Sequence, residues 1–153
     1  MIGSYGLVWL VGIAIYAVLA RRPRVLYATA LAVLLAEVSS GLLRQLFERD
    51  RPFVVDPLPE PIARQPASYS FPSGHASVSF AAATVIASAL PRLAVPAYAL
   101  AAAIAWSRVV VGVHYPLDVL AGAALGIAIG TLVTALPRLR AALRRSAPPQ
   151  PPA

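Results

Sequence analysis

The chain has 153 residues, 59% of them hydrophobic and 12% charged, with a mean hydropathy of +0.72. A soluble domain carries about twice that charged fraction, so a single membrane domain is expected. Cysteine is absent, which excludes disulfides and thiolate metal sites. The net charge of +7 comes from 13 arginines and no lysine against six acids. Basic loops between apolar runs point to membrane topology rather than to nucleic-acid binding.

No basic n-region precedes the first apolar run, so no cleavable signal is expected. A membrane span needs about 20 apolar residues. Residues 2–20 hold no charge and form the first expected span, ended by Arg21, Arg22 and Arg24. Residues 25–43 form a second, with Glu37 alone inside it. Residues 44–72 are polar, and Pro57, Pro59, Pro61 and Pro66 argue against a continuous helix there. Residues 75–90 form a short third span, and Pro91 and Arg92 a tight turn. Residues 93 to about 113 form a fourth, with Arg108 near its far end. Pro116 suits the first turn of a helix, and residues 117–136 form the fifth span. The expected fold is an all-α, polytopic transmembrane bundle of about five spans. Residues 1–140 make one domain, and 141–153 a basic, proline-rich cytoplasmic tail.

Arginine positions give the orientation. Arg21, Arg22, Arg24, Arg92, Arg138, Arg140, Arg144 and Arg145 share one side of the expected bundle. Arg44, Arg49, Arg51, Arg64 and Arg108 share the other. The richer side belongs in the cytoplasm, which puts the N-terminus outside and the C-terminus inside. Gly122, Gly126 and Gly130 stand four apart on the fifth span and allow close approach of a helix. Asp118 precedes them by four on the same face and should point into the bundle. The alternative is that this stripe is a dimer face.

Three charged clusters interrupt the apolar sequence, and all fall on the outer side. They are Arg44-x6-Arg51-Pro52, Pro72-Ser73-Gly74-His75, and Ser107-Arg108-x5-His114-x3-Asp118. Both histidines of the chain lie in them. Ionisable groups are costly near hydrocarbon, so their concentration suggests one shared polar site. Arginines bind phosphate, and a paired His and Asp support nucleophilic or acid–base chemistry.

In this order and on one membrane face, the clusters resemble those of the type 2 phosphatidic acid phosphatase (PAP2) superfamily of membrane lipid phosphatases. The resemblance spans residues 44–118. It implies His114 as nucleophile, forming a phosphohistidine, with Asp118 orienting its ring. It implies His75 as the acid that protonates the leaving oxygen. Arg44, Arg51 and Arg108 would clamp phosphate oxygens, joined by the Ser73 hydroxyl and the Gly74 amide at a helix N-terminus. No metal or other cofactor is expected, since three arginines supply the positive charge and would repel a zinc ion from the two histidines and the aspartate. Two features depart from the family pattern. Its first motif usually opens with lysine where this chain has Arg44, and its members commonly have six spans.

The stretch Arg49-Asp50-Arg51-Pro52-Phe53-Val54 resembles the undecaprenyl-diphosphate phosphatase branch. The expected activity is hydrolysis of the terminal phosphate of a polyprenyl diphosphate at the outer face of the cell membrane. The alternatives are a phosphatase for phosphatidate or phosphatidylglycerol phosphate, and a transporter or other binder of anionic lipid without turnover. The expected partners are the lipid substrate and the bilayer. Glu37, seven residues before Arg44 on the same helix face, is expected to be a buried, protonated or hydrogen-bonded acid packing the bundle; the alternative is that it tunes the site from below. Arg49 and Arg64 match no motif position and are expected to be solvated, or rim contacts for a headgroup. Trp9, Trp106 and the tyrosines read as interface or packing residues.

Overall fold

The computed structural model describes residues 21–55 and 67–146, with side chains described as far as 136. Among these residues every regular element is helical. In chain order they are α1 (Pro23–Phe47), α2 (Pro52–Val55), α3 (Gly74–Ala89), a 3-10 turn (Pro91–Leu93), α4 (Ala94–Val110) and α5 (Pro116–Ser146). Prolines open α1 and α5, where a helix has no use for the missing N–H. The expected first span, residues 2–20, lies outside the described residues, as do Arg64 and residues 147–153.

Three described segments are long and apolar enough to cross a membrane: Pro23–Val55, Pro91–Val110 and Pro116–Leu136. The protein is thus an all-α, polytopic membrane bundle. Helix α3 has 16 residues and rises only about 24 Å, against about 30 Å of hydrocarbon. It tolerates this because it hardly meets lipid: it packs against α1, α4 and α5, and its residues Ala76, Ser77, Ala81 and Val85 are buried.

Two boundaries differ from expectation. Helix α4 stops at Val110, short of 113, because Gly112 takes a φ of 74° and turns the chain. The backbone N–H groups of Val113 and His114 then both donate to Arg108 O, at 3.2 Å each. Helix α5 runs past 136 to Ser146, so the start of the expected tail is helical. Its Ala, Leu and Arg residues favour that state.

The core is built from small side chains. One cluster joins Ala32, Ala36, Ala81, Val85 and Val133; another joins Ala76, Ala105 and Val119. Association in lipid depends on close van der Waals contact rather than on expelling water, and small residues permit it. The glycine stripe serves this contact inside the chain. A Cβ on Gly122, Gly126 or Gly130 would meet α3 or the residue that opens it, at Ser73 O, Ser77 O and Thr84 Cβ respectively. Large apolar side chains such as Leu42, Val95, Trp106, Leu120 and Leu132 are exposed on the outside, as a bilayer-facing surface requires.

Candidate active site

The three clusters converge where α1, α3 and the α4–α5 turn meet. The chain leaves α1 at Glu48, whose left-handed backbone (φ 45°) directs residues 49–51 back across the bundle. Residues 67–73 are stitched to them. Ser70 N donates to Arg49 O at 2.8 Å, and Ser70 Oγ lies 3.1 Å from both Arg49 O and Asp50 O. The start of α3 is tied to α5 by Ser73 N donating to Asp118 O at 2.9 Å.

His114 is 5% exposed and sits between Arg51 and Asp118. Arg51 Nη1 lies 3.3 Å from His114 Nε2. Arginine only donates, so this contact requires Nε2 to be the unprotonated nitrogen. The ring proton of a neutral His114 then sits on Nδ1, which faces Asp118 Oδ2 at 3.5 Å. That separation exceeds a hydrogen bond, and Nδ1 has no closer partner. A shift of a few tenths of an ångström closes it. Asp118 is fully buried, and its Oδ2 accepts the Tyr115 N–H at 2.9 Å.

Arg51 is 4% exposed, and all five of its N–H groups have protein acceptors. Nε donates to Ser68 O at 2.6 Å, and Nη2 to Ser68 Oγ and Tyr69 O. Nη1 is shared between Val113 O, at 2.8 Å, and His114. The side chain clips the 67–73 segment to the turn that carries His114. A phosphate contact by Arg51 would require Nη1 to leave His114, since its other donors are tied to Val113 O and to the 67–73 segment.

His75 is exposed in the first turn of α3, within electrostatic range of Arg108, His114, Glu37 and Arg44. Arg44 lies against the start of α3, where a Cβ on Gly74 would stand 2.5 Å from its Nη1. Glycine at 74 thus lets a guanidinium approach the helix N-terminus, a natural seat for an anion. Ser73 Oγ is buried there and makes no hydrogen bond within the protein. Arg108 is half-buried at the end of α4, with Nε and Nη2 about the Ser107 hydroxyl at 3.1 and 3.0 Å. Among the described residues no group of three or more His, Cys, Asp or Glu side chains could hold a metal ion.

Two side chains correct the sequence reading. Glu37 is not buried: its side chain is 58% exposed, and Oε1 pairs with Arg44 Nη2 at 3.3 Å. Burial in the bundle is thus not found, and the pairing with Arg44, two turns above, fits the alternative of an acid acting on the site from below. Arg49 is not simply a solvated or rim residue. Its Nη1 donates to Asp118 Oδ1 at 2.8 Å, and its guanidinium lies 4.2 Å from the Tyr115 ring centroid. The sequence signals only that an acid turned into a bundle needs a cation, and does not say which arginine supplies it.

A membrane-embedded phosphatase is the class that this bundle and this set of side chains define. The chain belongs to the PAP2 superfamily, whose family model matches residues 23–141. It is 35% identical over 136 residues to decaprenylphosphoryl-5-phosphoribose phosphatase of Mycobacterium tuberculosis, covering 86% of this chain and 72% of that protein. It is 43% identical over 100 residues to undecaprenyl-diphosphatase of Sulfolobus acidocaldarius, covering 63% and 45%. Its fold matches the crystal structure of LpxE from Aquifex aeolicus with a TM-score of 0.69 and 29% identity, over 82% of this chain and 77% of that one.

Proposed function

We propose that this phosphatase removes the terminal phosphate of a polyprenyl diphosphate through a phosphohistidine on His114, without a metal. The carrying observation is the arrangement of His114, with Nε2 beside Arg51 and Nδ1 facing the buried Asp118. With the Arg51 N–H moved from Nε2 to a phosphate oxygen, the freed Nε2 lone pair attacks phosphorus as the bond to the bridging oxygen breaks, and His75 protonates the departing monophosphate. Asp118 accepts the Nδ1–H as the imidazole becomes positive. Water, deprotonated by His75, then attacks the phosphohistidine and releases inorganic phosphate. Arg44 and Arg108 hold the non-bridging oxygens, with Ser73 Oγ and the Gly74 N–H as neutral donors. Arg51 contributes Nη1 beside the attacking nitrogen and otherwise holds the site together.

The diphosphate substrate is supported by the Arg49–Val54 stretch and by the similarity to an undecaprenyl-diphosphatase. A second reading has its own support. The relative that spans more of both chains is named as a phosphatase of decaprenylphosphoryl-5-phosphoribose, which favours a phosphate monoester on a lipid-linked sugar as the substrate. The outward-facing site, with the C-terminus in the cytoplasm, rests on the arginine distribution. The test is phosphate release in detergent from a polyprenyl diphosphate, a polyprenyl-linked sugar phosphate, phosphatidate and phosphatidylglycerol phosphate. Preference for the diphosphate supports the first reading, and preference for a monoester overturns it. A binder without turnover releases no phosphate from any of them.

A further inference from the structure

We infer that Arg49 is a positioning residue of the reaction, acting through Asp118 rather than on the substrate. This rests on the catalytic reading of His114 and Asp118 given above. Asp118 must present one carboxylate oxygen to His114 Nδ1. That oxygen is Oδ2, which also receives the Tyr115 N–H. The other oxygen, Oδ1, is held by Arg49 at 2.8 Å. The carboxylate is thus fixed at both ends, and its rotation is no longer free. Arg49 also supplies the counter-charge that a fully buried carboxylate needs.

Arg49 is itself held from two directions. Its guanidinium lies over the Tyr115 ring, one residue beyond His114, and its backbone oxygen accepts from Ser70 N and Ser70 Oγ. One side chain therefore links the first cluster to the third. The ring contact made alongside the Nη1–Oδ1 bond suits the planar guanidinium of arginine better than the point charge of lysine. Arg49 and Arg51 divide the work: Arg51 touches the attacking nitrogen, and Arg49 sets the acid behind it.

The experiment is a double-mutant cycle of Arg49→Gln with Asp118→Asn, read as kcat and KM for the preferred lipid phosphate. Arg49→Gln is expected to lower kcat by about 10²-fold, the scale of a small misplacement at a reacting centre, with KM nearly unchanged. Arg49→Lys should recover part of the loss. The double variant should be no slower than Asp118→Asn alone, because one interaction is lost in both. A raised KM with intact kcat would overturn the inference and make Arg49 a substrate contact. Losses that multiply in the double variant would overturn it too. If the wild-type protein hydrolyses none of the lipid phosphates, the catalytic reading fails separately. The same four proteins then test the pair by thermal unfolding in detergent: non-additive shifts support it and additive shifts refute it.

Discussion

Gly126→Ala inserts a single methyl group where the backbones of α3 and α5 nearly touch. The new Cβ would meet the carbonyl oxygen of Ser77, with Ala81 N at 2.9 Å and Phe80 Cβ at 3.0 Å. Two of these atoms are backbone and cannot swing aside. Ordinary contact begins near 3.4 Å, so the helices must part by half an ångström or more. Overpacking of this kind costs about 1–3 kcal/mol. At about 2–4 °C per kcal/mol for a chain of this size, Tm should fall by about 2–12 °C. Asp118 stands two turns above on α5 and is tied to Ser73 by a backbone hydrogen bond, so separation of the helices also disturbs the site. Turnover should fall about tenfold or more. Gly41→Ala is the matched control. Its Cβ would meet only Arg44 Nη2, at 3.8 Å, and the change should stabilise α1 by about 0.5–1 kcal/mol. Thermal unfolding in detergent and phosphate release measure both variants. A Gly126→Ala protein as stable and active as wild type would refute the close contact. Loss of a dimer with unchanged unfolding would mean that the stripe faces a second copy.

Turnover should persist in excess EDTA, because arginines supply the charge that a metal would; activity lost to EDTA and restored by zinc or magnesium would contradict this. Arg44→Ala should impair phosphate release severely while Arg44→Lys retains much of it; a near-normal Arg44→Ala would shift the clamp to Arg108 and Arg51 Nη1. His75→Ala should damage phosphatidate hydrolysis far more than polyprenyl-diphosphate hydrolysis. An alkoxide leaving group needs a proton more than a phosphate monoester does. Equal losses in kcat/KM for the two lipids would assign His75 to phosphate binding instead.

The apolar runs made the helices legible, since membrane spans announce themselves by composition. Span ends were less so: α4 ended early because of a left-handed Gly112, a conformation that one glycine among nine does not declare. The residues His75, His114, Asp118, Arg44, Arg51 and Arg108 stand out by their charge in an apolar chain and by the family resemblance of their order, but their partners do not. For Glu37 periodicity gives the face shared with Arg44 but not whether that face is buried, so it leaves packing and pairing as alternatives that only the structure separates. Arg49 was passed over because its partner, Asp118, lies 69 residues away, and only the fold brings the two together. The partners of Arg51 were equally illegible: Ser68, Tyr69 and Val113 engage its donors from segments that only the fold brings to it.

The central claim is that His114 carries the phosphoryl group. Its most direct test is to quench the enzyme during turnover of a polyprenyl diphosphate labelled in the terminal phosphate, and to map the attached label. The account expects an acid-labile, alkali-stable phosphate on the peptide containing His114, absent from His114→Ala and increased when dephosphorylation is slowed. Label on His75 or on any other residue, or full turnover by His114→Ala, would contradict it.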